Sequence, residues 1–239
     1  MKKPTAVFNK WATDLLQVLY PNFCLVCDTE TPHSPGAICP VCESELHYTF
    51  YEDYNGATAL DQLFWGRVPV KHTYALLHFE ASNSTQAILH ALKYRDRPDV
   101  ARHFGRQLGE RVRKMTAFSD LDALVPVPLH PKKQFTRGYN QSEVLACGIA
   151  EQLKIPVNRE LLKRVVFTES QTRKGKTLRW DNMQGRFESS SAGSQKLKHI
   201  AIVDDVVTTG STLETCVRLL QEALPDCRIS IISLAVTKG

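Results

Sequence analysis

Near the carboxyl end of the chain two neighbouring acids, Asp204 and Asp205, are followed by Thr208, Thr209, Gly210, Ser211 and Thr212. Hydroxyl side chains grouped around a glycine at a helix start can wrap a phosphate, together with the exposed backbone amides. Two adjacent carboxylates can accept hydrogen bonds from the vicinal hydroxyls of a sugar. Acid pair and turn together fit a ribose 5-phosphate group. Terminating a strand and capping a helix would require neither two acids nor four hydroxyls. The residues before the pair, His199-Ile-Ala-Ile-Val203, read as a buried strand, and Leu213, Val217, Leu220 and Ala223 follow at helical spacing. Open α/β sheets bind ligands at such junctions, beyond the carboxyl end of a strand.

A second constellation lies near the amino end. Cys24-Leu-Val-Cys27 and Cys39-Pro-Val-Cys42 are two CxxC knuckles separated by eleven residues. Each can offer two thiolates from a tight turn, and together they complete the tetrahedral sulfur shell that zinc prefers. Four protein ligands close the coordination sphere, so a structural zinc is expected and metal catalysis is not. A redox reading would need one CxxC opening a helix after a strand. Cys147, Cys216 and Cys227 stand apart in apolar surroundings and read as small buried hydrophobes.

Between these lies a basic stretch. The apolar run Leu124-Val-Pro-Val-Pro128 leads into residues 130–142, which carry His130, Lys132, Lys133 and Arg137 before Gly138. With prolines at 126 and 128 disfavouring a helix, a loop is expected. Amides and cations on such a loop suit a pyrophosphate; a merely solvated basic loop is the alternative. Gly175-Lys-Thr177 has the tail of a nucleotide-binding P-loop, but Ser170 stands where the first glycine belongs and Glu169 would oppose a triphosphate. That motif is rejected.

The elements that must position these groups alternate. Strands are expected near 74–79, 121–127, 161–167, 199–203 and 228–236, with helices near 84–94, 98–114, 142–153 and 211–224, and a short helical segment near 178–185. The pattern predicts a mostly parallel α/β sheet flanked by helices. A Ser/Gly linker covers 189–194. Phe8, Trp11, Leu15, Leu16 and Leu19 recur at helical steps up to Pro21. This first helix is expected to pack on the protein's own core; a membrane-surface or partner helix is the alternative. Residues 1–70 are read as helix plus zinc module, and 71–239 as the α/β domain.

With 43% hydrophobic and 23% charged residues, the composition is that of a soluble globular protein. The longest apolar run, Ile229–Val236, is far short of the roughly twenty residues of a membrane span. Lys10 and Asp14 interrupt the N-terminal apolar region, which argues against a signal peptide. A cytoplasmic protein is expected, with peripheral association at the inner membrane as a further option. The net charge of +5 is unevenly distributed. Residues 11–70 hold one basic residue, Arg67, against eight acidic ones, whereas residues 93–139 hold eleven Lys/Arg against five Asp/Glu. An anionic ligand or partner therefore belongs with the larger part. The acidic surroundings of the cysteine quartet, made more negative by a zinc-tetrathiolate centre, would repel a nucleic-acid backbone. Local structure or a protein contact is the expected role there.

Val203-Asp-Asp-Val-Val-Thr-Thr-Gly-Ser-Thr212 closely resembles the signature by which type I phosphoribosyltransferases bind 5-phosphoribosyl 1-pyrophosphate (PRPP). The wider order of features is similar to that of the ComF family. These are the N-terminal helix, the CxxC pair, Leu92-Lys-Tyr-Arg95, Pro126-Val-Pro-Leu129, Arg137-Gly-Tyr-Asn-Gln141, Gln171, Arg179 with Asn182 and Phe187, and the acidic-pair segment. The resemblance implies a type I phosphoribosyltransferase-like sheet behind a small four-cysteine zinc finger, with PRPP and Mg2+ as ligands. In naturally transformable bacteria it implies a part in carrying incoming single-stranded DNA into the cytoplasm, beside DNA-uptake or recombination proteins. It adds Lys93, Arg95, Tyr139, Asn140 and Arg179 to His130, Lys132 and Arg137 as candidates for pyrophosphate or DNA contact. Lys174-Gly-Lys-Thr177 departs from the pattern by making the stretch before Arg179 unusually basic.

Two function classes remain open on sequence. An enzyme would let a nucleophile displace pyrophosphate at C1 of the sugar, acting by positioning and electrostatics; no residue marks an acceptor pocket or a general base. A nucleic-acid-handling protein would use the cations with Tyr94, Phe104, Phe135, Tyr139 and Trp180 as stacking platforms, keeping the PRPP pocket as a sensor or phosphate grip.

Overall fold

The computed structural model describes residues 23–31, 38–80, 84–164, 187–189 and 197–237. The expected N-terminal helix, Gln171, the basic stretch 174–177, Arg179, Trp180, Asn182 and most of the Ser/Gly linker lie outside the described residues. The chain divides into two compact units, 1–46 and 47–239.

In the smaller unit the second knuckle opens a one-turn helix, α1 (Pro40–Ser44). Cys39 is its cap, and Pro40 occupies the first-turn position where a missing N–H costs nothing.

The larger unit runs α2 (Ala59–Gln62), β1 (Thr73–Phe79), α3 (Ser84–Tyr94), α4 (Pro98–Val112), β2 (Ala123–Pro126), α5 (Pro131–Arg137), α6 (Gln141–Leu153), β3 (Leu162–Arg164), β4 (Phe187–Ser189), β5 (His199–Val207), α7 (Ser211–Ala223) and β6 (Arg228–Thr237). Four strands form a sheet in the order β1-β6-β5-β2, and every neighbouring pair is parallel. Ile200 to Val203 and Ile229 to Val236 are buried, the continuous apolar run that strands need when helices flank the sheet. A separate antiparallel pair joins β3 to β4. This is the expected architecture, a parallel sheet flanked by helices.

Behind the sheet α4 and α6 approach backbone to backbone. A Cβ on Gly148 would lie 2.6 Å from the Arg102 carbonyl oxygen, and one on Gly105 only 2.4 Å from that of Leu145. Glycine is required at this crossing.

Residues 47–70, grouped on sequence with the cysteine module, pack with the larger unit. The Thr49 N–H donates to the Leu76 carbonyl (3.0 Å) and the His78 N–H to that of His47 (2.7 Å), so the segment runs along β1. Asp61 closes a capping box with Thr58 at the start of α2 and accepts from the Thr73 hydroxyl at 2.7 Å. Their acidic, aromatic composition masked this membership.

Two further expectations change. Residues 131–137 form a helix and not a loop. The prolines at 126 and 128 exclude helix only up to their own positions, and Pro131 then sits in the first turn, where proline is favoured. β5 continues beyond residue 203 to Val207, so both aspartates belong to the strand. The register with β6 carries through Asp204 opposite Ser233 and Val207 opposite Val236.

Candidate functional site

The acidic pair sits near the carboxyl end of β5, two residues before the turn into α7. Successive side chains of a strand diverge, and the two carboxylates hold different partners. Asp204 accepts through Oδ1 from the Ser142 hydroxyl and from the Asp205 N–H, both at 2.9 Å. Asp205 pairs through Oδ2 with the Lys93 ammonium at 3.2 Å. Burial, and secondly the neighbouring Asp205 charge, push the Asp204 carboxyl well above the usual carboxylate range. A cation or a hydroxyl donor is the partner such a pair needs.

The turn that follows is open. Thr208, Thr209 and Thr212 are exposed and Ser211 is partly exposed, with Thr209 and Ser211 hydroxyls 3.0 Å apart. Gly210 takes the left-handed conformation (φ +73°) as the cap of α7, which spares it the strain of a side chain. Backbone amides and three exposed hydroxyls thus lie at the start of a thirteen-residue helix.

Lys93 links this acid pair to a cavity of about 440 Å³ lined by Lys93, Tyr94, Asp96, Lys132, Lys133, Thr136 and Arg137. The cavity lies between the end of α3 and the length of α5. Four cations face one carboxylate, so its field favours an anion. Arg137 stacks over the Tyr94 ring, 5.5 Å from its centre. Tyr94 is 68% exposed and Phe135, on the same helix as Arg137, is 92% exposed.

The other candidates separate into two groups. His130 caps α5, its Nδ1 accepting from the Lys132 N–H at 3.2 Å. Asn140 is buried, caps α6 through the Ser142 N–H and donates to the Val127 carbonyl. Tyr139 donates to the Leu92 carbonyl at 2.7 Å, and burial pushes its phenol up to about 12. These three hold backbone, which puts Lys93, Lys132 and Arg137 where they are. Arg95 is exposed. Of the aromatic platforms expected from sequence, Phe104 is core at 1% exposure and Tyr139 is tethered, leaving Tyr94 and Phe135 open among the described residues. Ser142 escaped the sequence reading; its place in the first turn of a helix capped by Asn140 was the available signal.

In the smaller unit the four cysteine sulfurs lie within 4.8 Å of one another. The Cys27 and Cys39 sulfurs are 3.7 Å apart, close to the roughly 3.8 Å edge of a tetrahedron with Zn–S bonds of about 2.3 Å. Cys24 Sγ accepts the N–H groups of Val26 and Cys39, and Cys39 Sγ that of Cys42. Such donors stabilise thiolates. The Thr29 hydroxyl and backbone lower Cys27 to about 6, while burial and then its thiol neighbours push Cys42 up. Four crowded sulfurs of unequal acidity are what a divalent cation would level, and the set fits a metal such as zinc.

Residues 140–238, from the cap of α6 through β6, match the phosphoribosyl transferase domain family. The parallel sheet, the acidic strand end and the hydroxyl-rich turn therefore belong to a phosphoribosyltransferase-type domain. Among characterised relatives, competence protein F of Haemophilus influenzae is 27% identical over 87% of this chain and 87% of its own length. Competence protein ComFC of Bacillus subtilis is 25% identical over 88% of this chain and 82% of its own. The DNA utilization protein YhgH of Salmonella typhimurium is 35% identical, over 56% of this chain and 59% of that protein. Together with the domain match, these relatives support a ComF-family protein.

Proposed function

We propose that this protein binds PRPP at the carboxyl end of β5 and serves DNA uptake, handling incoming single-stranded DNA on the cytoplasmic side of the membrane. The observation that carries the first part is the sequence of contacts from turn to cavity. Hydroxyls and amides of Thr208 to Thr212 would take the 5-phosphate, and the acidic pair the ribose hydroxyls. Both bonds to Asp204 fall on Oδ1, which leaves Oδ2 for a sugar hydroxyl. Lys93 would exchange its hold on Asp205 for a pyrophosphate oxygen in the cavity it also lines. Lys132, Lys133 and Arg137 would face the same pyrophosphate, accompanied by Mg2+. Arg95 extends the cationic field; Arg179, outside the described residues, is a candidate on the family pattern alone. Zinc would hold Cys24, Cys27, Cys39 and Cys42 together as a structural centre, with residues 1–46 as its module.

The names of the relatives in Haemophilus, Salmonella and Bacillus support the second part. So do two exposed aromatics, Tyr94 and Phe135, among the cations of α5, since stacking platforms beside positive charge suit single strands. No helix among the described residues is long and apolar enough to cross a membrane. A phosphoribosyl transfer to an acceptor is the competing reading, favoured by the domain match.

Calorimetric titration with PRPP and Mg2+ tests the proposal. Wild type should bind, and Asp204→Asn with Asp205→Asn should not. Equal affinity of the two proteins would refute it. Single-stranded DNA binding should weaken steeply with salt and survive the double substitution. Pyrophosphate released on mixing with PRPP and nucleobases would favour the enzyme.

A further inference from the structure

The single basic residue in the acidic stretch 11–70 is Arg67. Its side chain reaches the turn between β5 and α7, far along the chain. Nη1 donates to the Thr209 carbonyl at 2.9 Å and to the Leu63 carbonyl at 3.0 Å. Nε donates to Glu214 Oε2 at 3.0 Å, and Nη2 to the same oxygen. Glu214, in the first turn of α7, also accepts from Arg218, whose Nη2 returns to the Arg67 carbonyl at 2.8 Å. A second contact adjoins this network. A Cβ on Gly210 would come within 3.1 Å of both Leu63 Cδ2 and Phe64 Cε1, so the glycine is seated against these side chains.

We propose that Arg67 is a positioning residue for the phosphate turn, an inference that rests on reading Thr208 to Thr212 as that turn. Two physical consequences follow from the contacts. Peptide bonds in the described chain are trans, so fixing the Thr209 carbonyl toward Arg67 directs the Gly210 N–H the opposite way. The amide is thereby oriented before any ligand arrives, which removes an ordering cost from binding. Arg67 and Arg218 also neutralise Glu214, a carboxylate that would otherwise repel a phosphate at the start of α7. Because its charge is committed to Glu214, Arg67 acts through the turn and does not touch the ligand. The planar fork reaches the carbonyl and the carboxylate from separate nitrogens, whereas a lysine would have to meet both from one ammonium on a differently shaped stem.

The experiment compares the full chain with Arg67→Ala, Arg67→Lys and Arg218→Ala. Amide exchange across residues 208–212 is read without ligand, and ribose 5-phosphate binding is read by calorimetry. In Arg67→Ala, exchange at 208–212 should rise while α4 and α6 keep their protection, and ribose 5-phosphate should bind about tenfold more weakly or worse. Arg67→Lys should behave like Arg67→Ala, and it carries the test if the alanine variant does not fold. Arg218→Ala, which spares the Thr209 contact, should leave amide exchange at 208–212 near wild type, and a rise there as large as in Arg67→Ala would overturn the proposal. Unchanged exchange at 208–212 in the Arg67 variants overturns the proposal, whatever the sugar phosphate does. A wild-type protein indifferent to ribose 5-phosphate instead sinks the reading of the turn as a phosphate site, and the exchange data still decide whether Arg67 orders it.

Discussion

Ser142 donates its hydroxyl proton to Asp204 across 2.9 Å, tying the first turn of α6 to the acidic end of β5. The serine supplies what burial takes away. Its bond pulls the Asp204 carboxyl toward ionisation, while desolvation and the Asp205 charge push it the other way and prevail.

An acid whose folded pKa is raised loses stability as pH climbs from its unfolded value, about 3.9, through its folded one. Below the unfolded value both states are protonated and nothing is lost. Asp204→Asn keeps an oxygen for Ser142 and removes the charge. It should therefore melt higher than wild type near about pH 8, by a few degrees for roughly 1 kcal/mol. The advantage should fade toward about pH 4, where wild-type Asp204 is neutral in both states. Melting curves across that range check it, and a difference growing toward acid would contradict it.

Lys93 covers Asp205, whose side chain is only 12% exposed. Lys93→Met should leave a largely desolvated carboxylate beside Asp204 and cost about 1–3 kcal/mol. Adding Asp205→Asn should recover much of that loss. Urea melts of the four proteins in a double-mutant cycle give the coupling, which strict additivity would show to be absent.

Gly148→Ala should lower stability by roughly 1–3 kcal/mol, because its Cβ would meet the Arg102 carbonyl and the Gly105 backbone, neither of which can rotate away. Chemical denaturation measures the cost. Gly56→Ala, with nothing within 4 Å of the added carbon, is the matched control and should be near neutral.

The purified chain should release one zinc per molecule to a thiol-blocking reagent, read with a colorimetric chelator. Cys24→Ser should reduce the metal content, since Cys24 is buried and receives two N–H bonds. Full zinc in that variant, or none in wild type, would remove the metal from the smaller unit.

Much of this was legible in the residues because the signals are local. Apolar runs gave the strands, helical spacing gave α3, α4, α6 and α7, and CxxC spacing gave the cysteine cluster. The acidic pair and its turn announced themselves by type. What escaped depends on partners distant in sequence. Nothing near Ser142 says that Asp204 lies opposite it, and Arg67 looked like a lone cation in an acidic stretch. Pro126 and Pro128 hid the helix that Pro131 opens, because a proline opening a helix differs physically from one interrupting it. His130, a candidate by its chemistry, and Tyr139 and Asn140, candidates by the resemblance, hold backbone.

Both outer strands of the parallel sheet are finished by a few residues of irregular chain. The stretch 47–49 bonds along β1, while Pro156 and Asn158 bracket Leu124 on β2. A shortened protein beginning at residue 71 would keep the acid pair yet bare the apolar flank of β1, whose unpaired amides and carbonyls would then invite a second molecule to add a strand. Such a fragment should self-associate, and the short segment before α2 is best understood as the selvedge that keeps the fabric from joining to its neighbour.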